Sequence, residues 1–365
     1  MLQRLPTPYR SEASVVAQLL GRLGESFDAS AWQQICQAAR PWVQEVRDHP
    51  TPFWAMETLL KEYPIASAEG LALMRLAEAL LRVPDAPTAI TLTADQLSRA
   101  NFDAATDSSL SRLSSAAIAL SKHFLPQPGQ SPGIIANLGT NMVVRASLHA
   151  VQLLGRQFVL GQTLADAQRV AEQTSDKTPG RLAYSYDMLG EGARTMGDAK
   201  RYLAAYREAI LAIASKTLER ASSAKSDDVR LNDGISVKLS ALHPRYEFTQ
   251  RERVLAELVP TLFELCQLAA AANINLTIDA EEVDRLELSL DVFEALLVKI
   301  AAHCPGWGGF GLALQAYQTR ALELVEHVAA LAVKHQVKLM CRLVKGAYWD
   351  AEIKRAQELG LAPAR

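Results

Sequence analysis

From residue 182 onward, short strand-like runs alternate with long amphipathic helices, and the runs carry polar residues on one face only. The runs cover residues 182–188, 235–241, 274–280, 310–316 and 338–344. Helical periodicity fills the gaps. Val254, Leu255, Leu258, Leu262 and Leu265 share one face of the segment 250–272, and Leu322, Val325, Val328, Ala329 and Ala332 share one face of 320–335. One helix between successive strands predicts repeated βα units and a parallel sheet.

A doubly wound sheet and a closed barrel both satisfy that grammar, and the alternation within the strands separates them. A sheet covered by helices on both faces is apolar on both. Here Ile235, Val237, Leu239 and Ala241 oppose Ser236, Lys238 and Ser240, while Ile274, Leu276 and Ile278 oppose Asn275, Thr277 and Asp279. Leu312 and Leu314 oppose Gly311, Ala313 and Gln315, and Leu339, Cys341 and Leu343 oppose Met340, Arg342 and Val344. One face suits covering helices and the other suits a partly polar interior. The fold class expected is therefore α/β, a partial (β/α)8 TIM-type barrel of about five βα units, preceded by an all-α N-terminal region.

The expected organisation is a helical region over 1–125, a linker with connecting helices over 126–180, and the βα units over 181–365. Helices are expected over 31–46, 69–82 and 143–171, with Ser67 as an N-cap and Pro84 beyond the end of the second. Pro126, Gly129, Ser131 and Pro132 mark a loop. The formal charge of −2 gives no whole-molecule argument for nucleic acid or an anionic membrane. No uninterrupted apolar run reaches the length of a membrane span, and the N-terminus does not read as a secretory signal. The four cysteines are dispersed and no Cys/His cluster appears, so neither a metal site nor a disulfide framework is expected, and a reducing cytoplasm is the default.

Barrel enzymes build their sites at the carboxyl ends of the strands. The inward residues there are Lys238, Asp279, Gln315 and Arg342, with Asp187 and Glu191 after the first strand. Two cations, carboxylates and an amide, without histidine or cysteine, suit a carboxylate, a phosphate or a reduced flavin. Lys238 could instead be the Schiff-base nucleophile of a barrel aldolase, which needs a lowered pKa that a neighbouring Asp279 opposes. A non-catalytic interaction piece is the third reading. The run Gly306-Trp307-Gly308-Gly309-Phe310-Gly311 has GxGxxG spacing but precedes a strand, which argues against a dinucleotide fingerprint. After the fifth strand, Gly346 could admit a ligand to backbone amides and Trp349 could stack on a ring, or both could serve a tight turn.

Longer motifs then carry a resemblance. They are Asp187-Met188-Leu189-Gly190-Glu191, Ser236-Val237-Lys238-Leu239-Ser240-Ala241-Leu242-His243-Pro244-Arg245-Tyr246, Ile278-Asp279-Ala280-Glu281-Glu282, Gln315-Ala316-Tyr317-Gln318 and Arg342-Leu343-Val344-Lys345-Gly346-Ala347-Tyr348-Trp349-Asp350. With Ser67 through Asp85 upstream, the chain resembles the bacterial proline utilization A family, in its helical region and proline dehydrogenase barrel. The resemblance implies an FAD enzyme that oxidises L-proline to Δ1-pyrroline-5-carboxylate within a bifunctional, peripherally membrane-associated cytoplasmic protein. Electrons would pass to a membrane quinone, and the full-length protein would be a homo-oligomer without a nucleic-acid partner.

Carried over by position, Arg342 would face the flavin N5 and Gln315 the pyrimidine edge, with Val344, Gly346 and Trp349 among the flavin contacts. Lys238 would neutralise the proline carboxylate, Tyr348 would pack on the proline ring, and Asp279 would organise the cations. Glu191 would close a gate by pairing with an arginine of the last helix. Family members continue past residue 365 through further strands and the arginines that clamp the carboxylate. The chain taken alone is therefore expected to be truncated, to bind FAD poorly, to leave proline unoxidised and to expose its fifth strand.

Overall fold

A computed structural model describes residues 11–49, 159–176, 182–221 and 228–360. The chain divides into two compact units, one of residues 29–173 and one that joins 1–28 to 174–365. Before the sheet, the described residues form α1 (Glu12–Ser26), α2 (Ala29–Asp48) and α3 (Leu164–Ser175). The helix expected over 31–46 is α2, whereas that expected over 69–82 and the loop at 126–132 lie outside the described residues. The helix expected over 143–171 is corrected at its end, because residues 159–163 are not helical. Thr163 sets the start of α3: its Oγ1 accepts from the Asp166 N–H at 3.2 Å and donates to the Asp166 carboxylate at 2.9 Å.

The second unit holds the sheet. Its elements run β1 (Ser185–Asp187), α4 (Met196–Ala221), β2 (Gly234–Val237), α5 (Leu239–Leu242), α6 (Arg251–Ala271), β3 (Asn275–Ile278), α7 (Val283–His303), β4 (Phe310–Gln315), α8 (Ala321–His335), β5 (Met340–Val344) and α9 (Trp349–Glu358). The five strands are parallel and lie in the order β1-β2-β3-β4-β5. Sequential parallel order is the arrangement of a TIM-type barrel and not of a doubly wound sheet, whose order reverses.

The strand faces divide as their alternation requires. Ile235, Val237, Leu276, Ile278, Leu312 and Leu314 are all buried beneath the helices. Those helices contribute Val254, Leu258, Leu262 and Leu265 from α6 and Leu288, Phe293, Leu296 and Ile300 from α7. Phe293 stacks on Phe310 with ring centroids 5.0 Å apart, which locks α7 to β4. The glycine-rich run is packing rather than a phosphate cradle, since the Trp307 indole N–H donates to the Ile274 carbonyl at 3.1 Å. By length and a mean hydropathy of 1.5, the helical segment Phe248–Ala271 could cross a membrane. Its apolar stripe is buried in this unit, as in the core helix of a globular fold.

One strand ends earlier than its sequence pattern suggests. The alternation through residue 241 predicts a long second strand, yet β2 stops at Val237 and Leu239–Leu242 turns into helix with every residue buried. Groups distant in sequence, two side chains and one backbone amide, capture the backbone at this point. The Lys238 N–H donates to Tyr206 Oη at 3.2 Å, the Ser240 N–H to Glu281 Oε1 at 3.0 Å, and the Ser240 carbonyl accepts from the Ala193 N–H at 2.8 Å. Alternation of side chains cannot reveal such long-range partners. At the other side of the sheet, Cys341 is exposed and Leu343 is 60% exposed on the helix-facing side of β5.

Close packing of β4 on β5 depends on Gly311, where an added Cβ would collide with the Met340 carbonyl. Gly311→Ala is expected to lower the unfolding free energy by about 1–3 kcal/mol. Gly21→Ala, at an open helical position, should instead be neutral or stabilising by up to ~1 kcal/mol. Denaturant midpoints for the two variants check this pair.

Candidate active site

Register places the inward-facing groups. Val237 pairs with Ile278, Ile278 with Leu312, and Ala313 with Arg342. The next residue along β2 and β3 is respectively Lys238 and Asp279, so Lys238, Asp279, Ala313 and Arg342 fall on one rung. Ala313 is small, and that leaves space for the long side chain of Arg342 to cross toward Asp279.

These groups form one ion network. Lys238 Nζ lies 3.0 Å from Asp279 Oδ2 and 2.6 Å from Asp187 Oδ1, and Arg342 Nη1 lies 3.4 Å from Asp279 Oδ1. Arg342 reaches across the interior, donating to Ser185 Oγ at 2.8 Å and to Ser236 Oγ at 3.2 Å. Lys238 and Asp279 are mostly buried, whereas Asp187 is 48% exposed. Burial alone would lower the pKa of Lys238, but its hydrogen bond to Asp187 and the charge of Asp279 outweigh that and hold it above the ordinary lysine range. Burial raises the carboxyl of Asp279, opposed chiefly by Lys238. The lysine is thus held protonated, and the aldolase reading, which requires a free amine, is not favoured.

The remaining expected residues gather in two further groups. Tyr348 Oη donates to Glu191 Oε2 at 3.0 Å. Burial first, and then the Glu191 charge, push the Tyr348 phenol pKa upward. Tyr348 holds a left-handed backbone at φ 60°, an uncommon conformation for a bulky residue that marks many functional sites. The arginine expected to pair with Glu191 belongs to the last helix of the family's barrel, beyond residue 365, so that pairing is not tested; among the described residues Tyr348 is bonded to Glu191. Gln315 donates from Nε2 to the Glu281 carbonyl at 2.8 Å, and its Oε1 is buried without a hydrogen-bond partner. Gly346, at φ +123°, has no room for a side chain, since an added Cβ would collide with the Tyr317 ring and lie 3.3 Å from Gln315 Oε1. Val344 pairs with Gln315 across the β4–β5 ladder, and Trp349 is 55% exposed at the start of α9.

Four residues outside the expected set complete the site. Ser185 and Ser236 hold Arg342, and their place on the polar face beside Asp187 and Lys238 was the available signal. Tyr206 holds the Lys238 backbone from α4, with its own phenol raised to about 12, first by burial. Glu281 is buried, accepts from the Ser240 N–H and pairs with Arg285 Nη1 at 2.7 Å. Nothing in the local pattern distinguishes Tyr206 or Glu281 from ordinary helix and loop residues. Among the described residues no cluster of potential metal ligands occurs.

A family model described as proline dehydrogenase matches residues 170–364, more than half of the chain. The chain belongs to the proline dehydrogenase family. A second model, described as the DNA-binding domain of proline dehydrogenase, matches residues 55–158, outside the described residues. The bifunctional protein PutA of Klebsiella aerogenes is 42% identical over 315 residues, which cover 84% of this chain and 23% of that protein. Its counterpart in Escherichia coli is 39% identical over 368 residues, covering 98% of this chain and 26% of that protein. A crystal structure of a Bradyrhizobium japonicum proline utilization A variant matches with a TM-score of 0.63 at 41% identity, covering 98% of this chain and 36% of the other. The chain thus spans about a quarter of the length of the curated relatives it matches.

Loss of Asp279 would leave the proline dehydrogenase network with an unbalanced positive charge. Asp279→Asn is expected to cost about 2–4 kcal/mol, less than a fully buried pair because Arg342 keeps solvent access. It should also lower the Lys238 pKa. A raised folded pKa gives stability that is present below the unfolded lysine value of 10.5 and lost as pH rises through the folded value. The variant should therefore show a smaller loss of stability on alkaline titration, measured by denaturant midpoints, with an NMR titration of the Lys238 side chain as the direct check.

Proposed function

We propose that this chain is the proline dehydrogenase portion of a bifunctional proline utilization protein, oxidising L-proline to Δ1-pyrroline-5-carboxylate in proline catabolism. The single observation that carries the proposal is the Lys238–Asp279–Arg342 network on the inner rung of the barrel strands. It offers two fixed cations to a small anionic substrate while one carboxylate keeps them apart. Lys238 binds the substrate carboxylate with an N–H not engaged by Asp279. Tyr348 packs on the pyrrolidine ring, and its bond to Glu191 closes the side of the site formed by the loop after β1.

The residues fit FAD. A buried amide oxygen without a partner, on Gln315, suits the N–H donor of a flavin edge, and Gly346 packs close beside it without a side chain of its own. Gln315, Arg342, Val344, Gly346 and Trp349 would hold the cofactor, with the exposed indole of Trp349 available for stacking. When bound, FAD supplies the acceptor for the two electrons removed from the substrate. Arg342 supplies a positive charge that favours an electron-rich ring over a neutral one. Asp279 fixes the direction of both cations, and Ser185 and Ser236 hold the guanidinium. A membrane quinone as the onward acceptor, homo-oligomerisation and a cytoplasmic location with peripheral membrane association complete the proposal.

Two measurements test it in the FAD-loaded bifunctional protein of which this chain is proposed to be a portion. Lys238→Ala should raise the KM for proline about 10- to 100-fold, the equivalent of ~1.5–3 kcal/mol for a lost charge-assisted contact. An unchanged KM would remove Lys238 from the substrate. Arg342→Met should lower the midpoint potential of the bound flavin and slow proline oxidation. A potential equal to wild type, with flavin still bound, contradicts the role given to Arg342.

A further inference from the structure

Lys238 has two carboxylate partners of very different standing. Asp279 is 13% exposed and is held from its other oxygen by Arg342. Asp187 is 48% exposed, and the one side-chain hydrogen bond shown for it among the described residues is the 2.6 Å contact to Lys238. The four groups Asp187, Asp279, Lys238 and Arg342 are also balanced, two anions against two cations. An ammonium has three N–H donors, and here two of them are already engaged.

A carboxylate arriving at Lys238 therefore finds one free donor while Asp187 stays, and a second if Asp187 turns toward solvent. Its charge is also repelled by Asp187 for as long as that side chain remains. Asp279 cannot make way at the same cost, because its departure would expose Arg342 as well. Asp187 sits at the last position of β1, paired in register with Ser236, and nothing else in the described residues restrains its head group.

We infer that Asp187 is a built-in competitor for the substrate carboxylate, occupying Lys238 in the free site and displaced when substrate binds. The inference rests on the reading that Lys238 receives that carboxylate. It makes Asp187 a specificity-determining residue, one that weakens binding of carboxylates without touching the ring or the amine. In exchange, the lysine stays charged and shielded while the site is empty.

The test uses the FAD-loaded bifunctional protein that contains this chain and two probes, cyclopentanecarboxylate, which has the ring and the carboxylate, and pyrrolidine, which has the ring and the amine. Removing an exposed ion-pair partner corresponds to a gain of about two- to fivefold. Asp187→Asn should tighten cyclopentanecarboxylate by that factor in isothermal titration, lower the KM for proline in parallel, and leave pyrrolidine binding unchanged. Asp187→Ser should do the same, which guards against a folding defect peculiar to one variant. Asp187→Glu, which keeps the competing charge, should not tighten binding. Unchanged or weaker cyclopentanecarboxylate binding in both neutral variants overturns the inference, as does an equal gain for pyrrolidine. Lys238→Ala separates the two levels. If it leaves cyclopentanecarboxylate binding intact, the underlying reading of Lys238 fails; if it abolishes binding while the Asp187 variants show no gain, only the competitor role fails.

Discussion

Charge placed inside a barrel must be compensated there, and the site of this chain is organised around that requirement. Lys238 and Arg342 both project inward at one level, and Asp279 stands between them with one oxygen toward each. Without that carboxylate the cations would repel one another across the interior, and neither would keep a fixed direction. Ala313 on the intervening strand leaves the space in which the Arg342–Asp279 contact forms. The serines of β1 and β2 then anchor the far end of the guanidinium. Geometry and electrostatics at this rung are thus set by one acid and one missing side chain.

The same constraint explains why the scaffold is stiff around the site. β2 has to end beneath Lys238 so that the lysine emerges at the mouth, and three long-range hydrogen bonds draw its backbone off the ladder. Glu281 serves both sides of the site. Its carboxylate receives the turn after Lys238, and its carbonyl fixes the amide of Gln315 with the oxygen left free. Lys238 and Gln315 are therefore tied to one buried residue on the β3–α7 loop.

Much of this was legible in the sequence. Strand alternation gave the polar interior, and the polar positions at the strand ends gave Lys238, Asp279, Gln315 and Arg342, which the fold brings to the same mouth. Ser185 and Ser236 lie on the same pattern, but serine alone carries no charge signal. The length of β2 is not legible, since period-two alternation runs on through residue 241 while the strand ends at Val237. What ends the strand is Tyr206 and Glu281, each more than 30 residues away in sequence. Glu191 follows the first strand and Tyr348 the fifth, at opposite ends of the sheet order, and the two become neighbours through curvature of the sheet, which no local pattern reveals.

The account turns on where a substrate carboxylate sits. A crystal structure of the FAD-loaded protein with cyclopentanecarboxylate bound would measure this directly. The account requires the carboxylate within hydrogen-bond distance of Lys238 Nζ, with Asp279 still bridging Lys238 and Arg342. A carboxylate bound elsewhere in the barrel, with Lys238 still engaged only by Asp187 and Asp279, would contradict it.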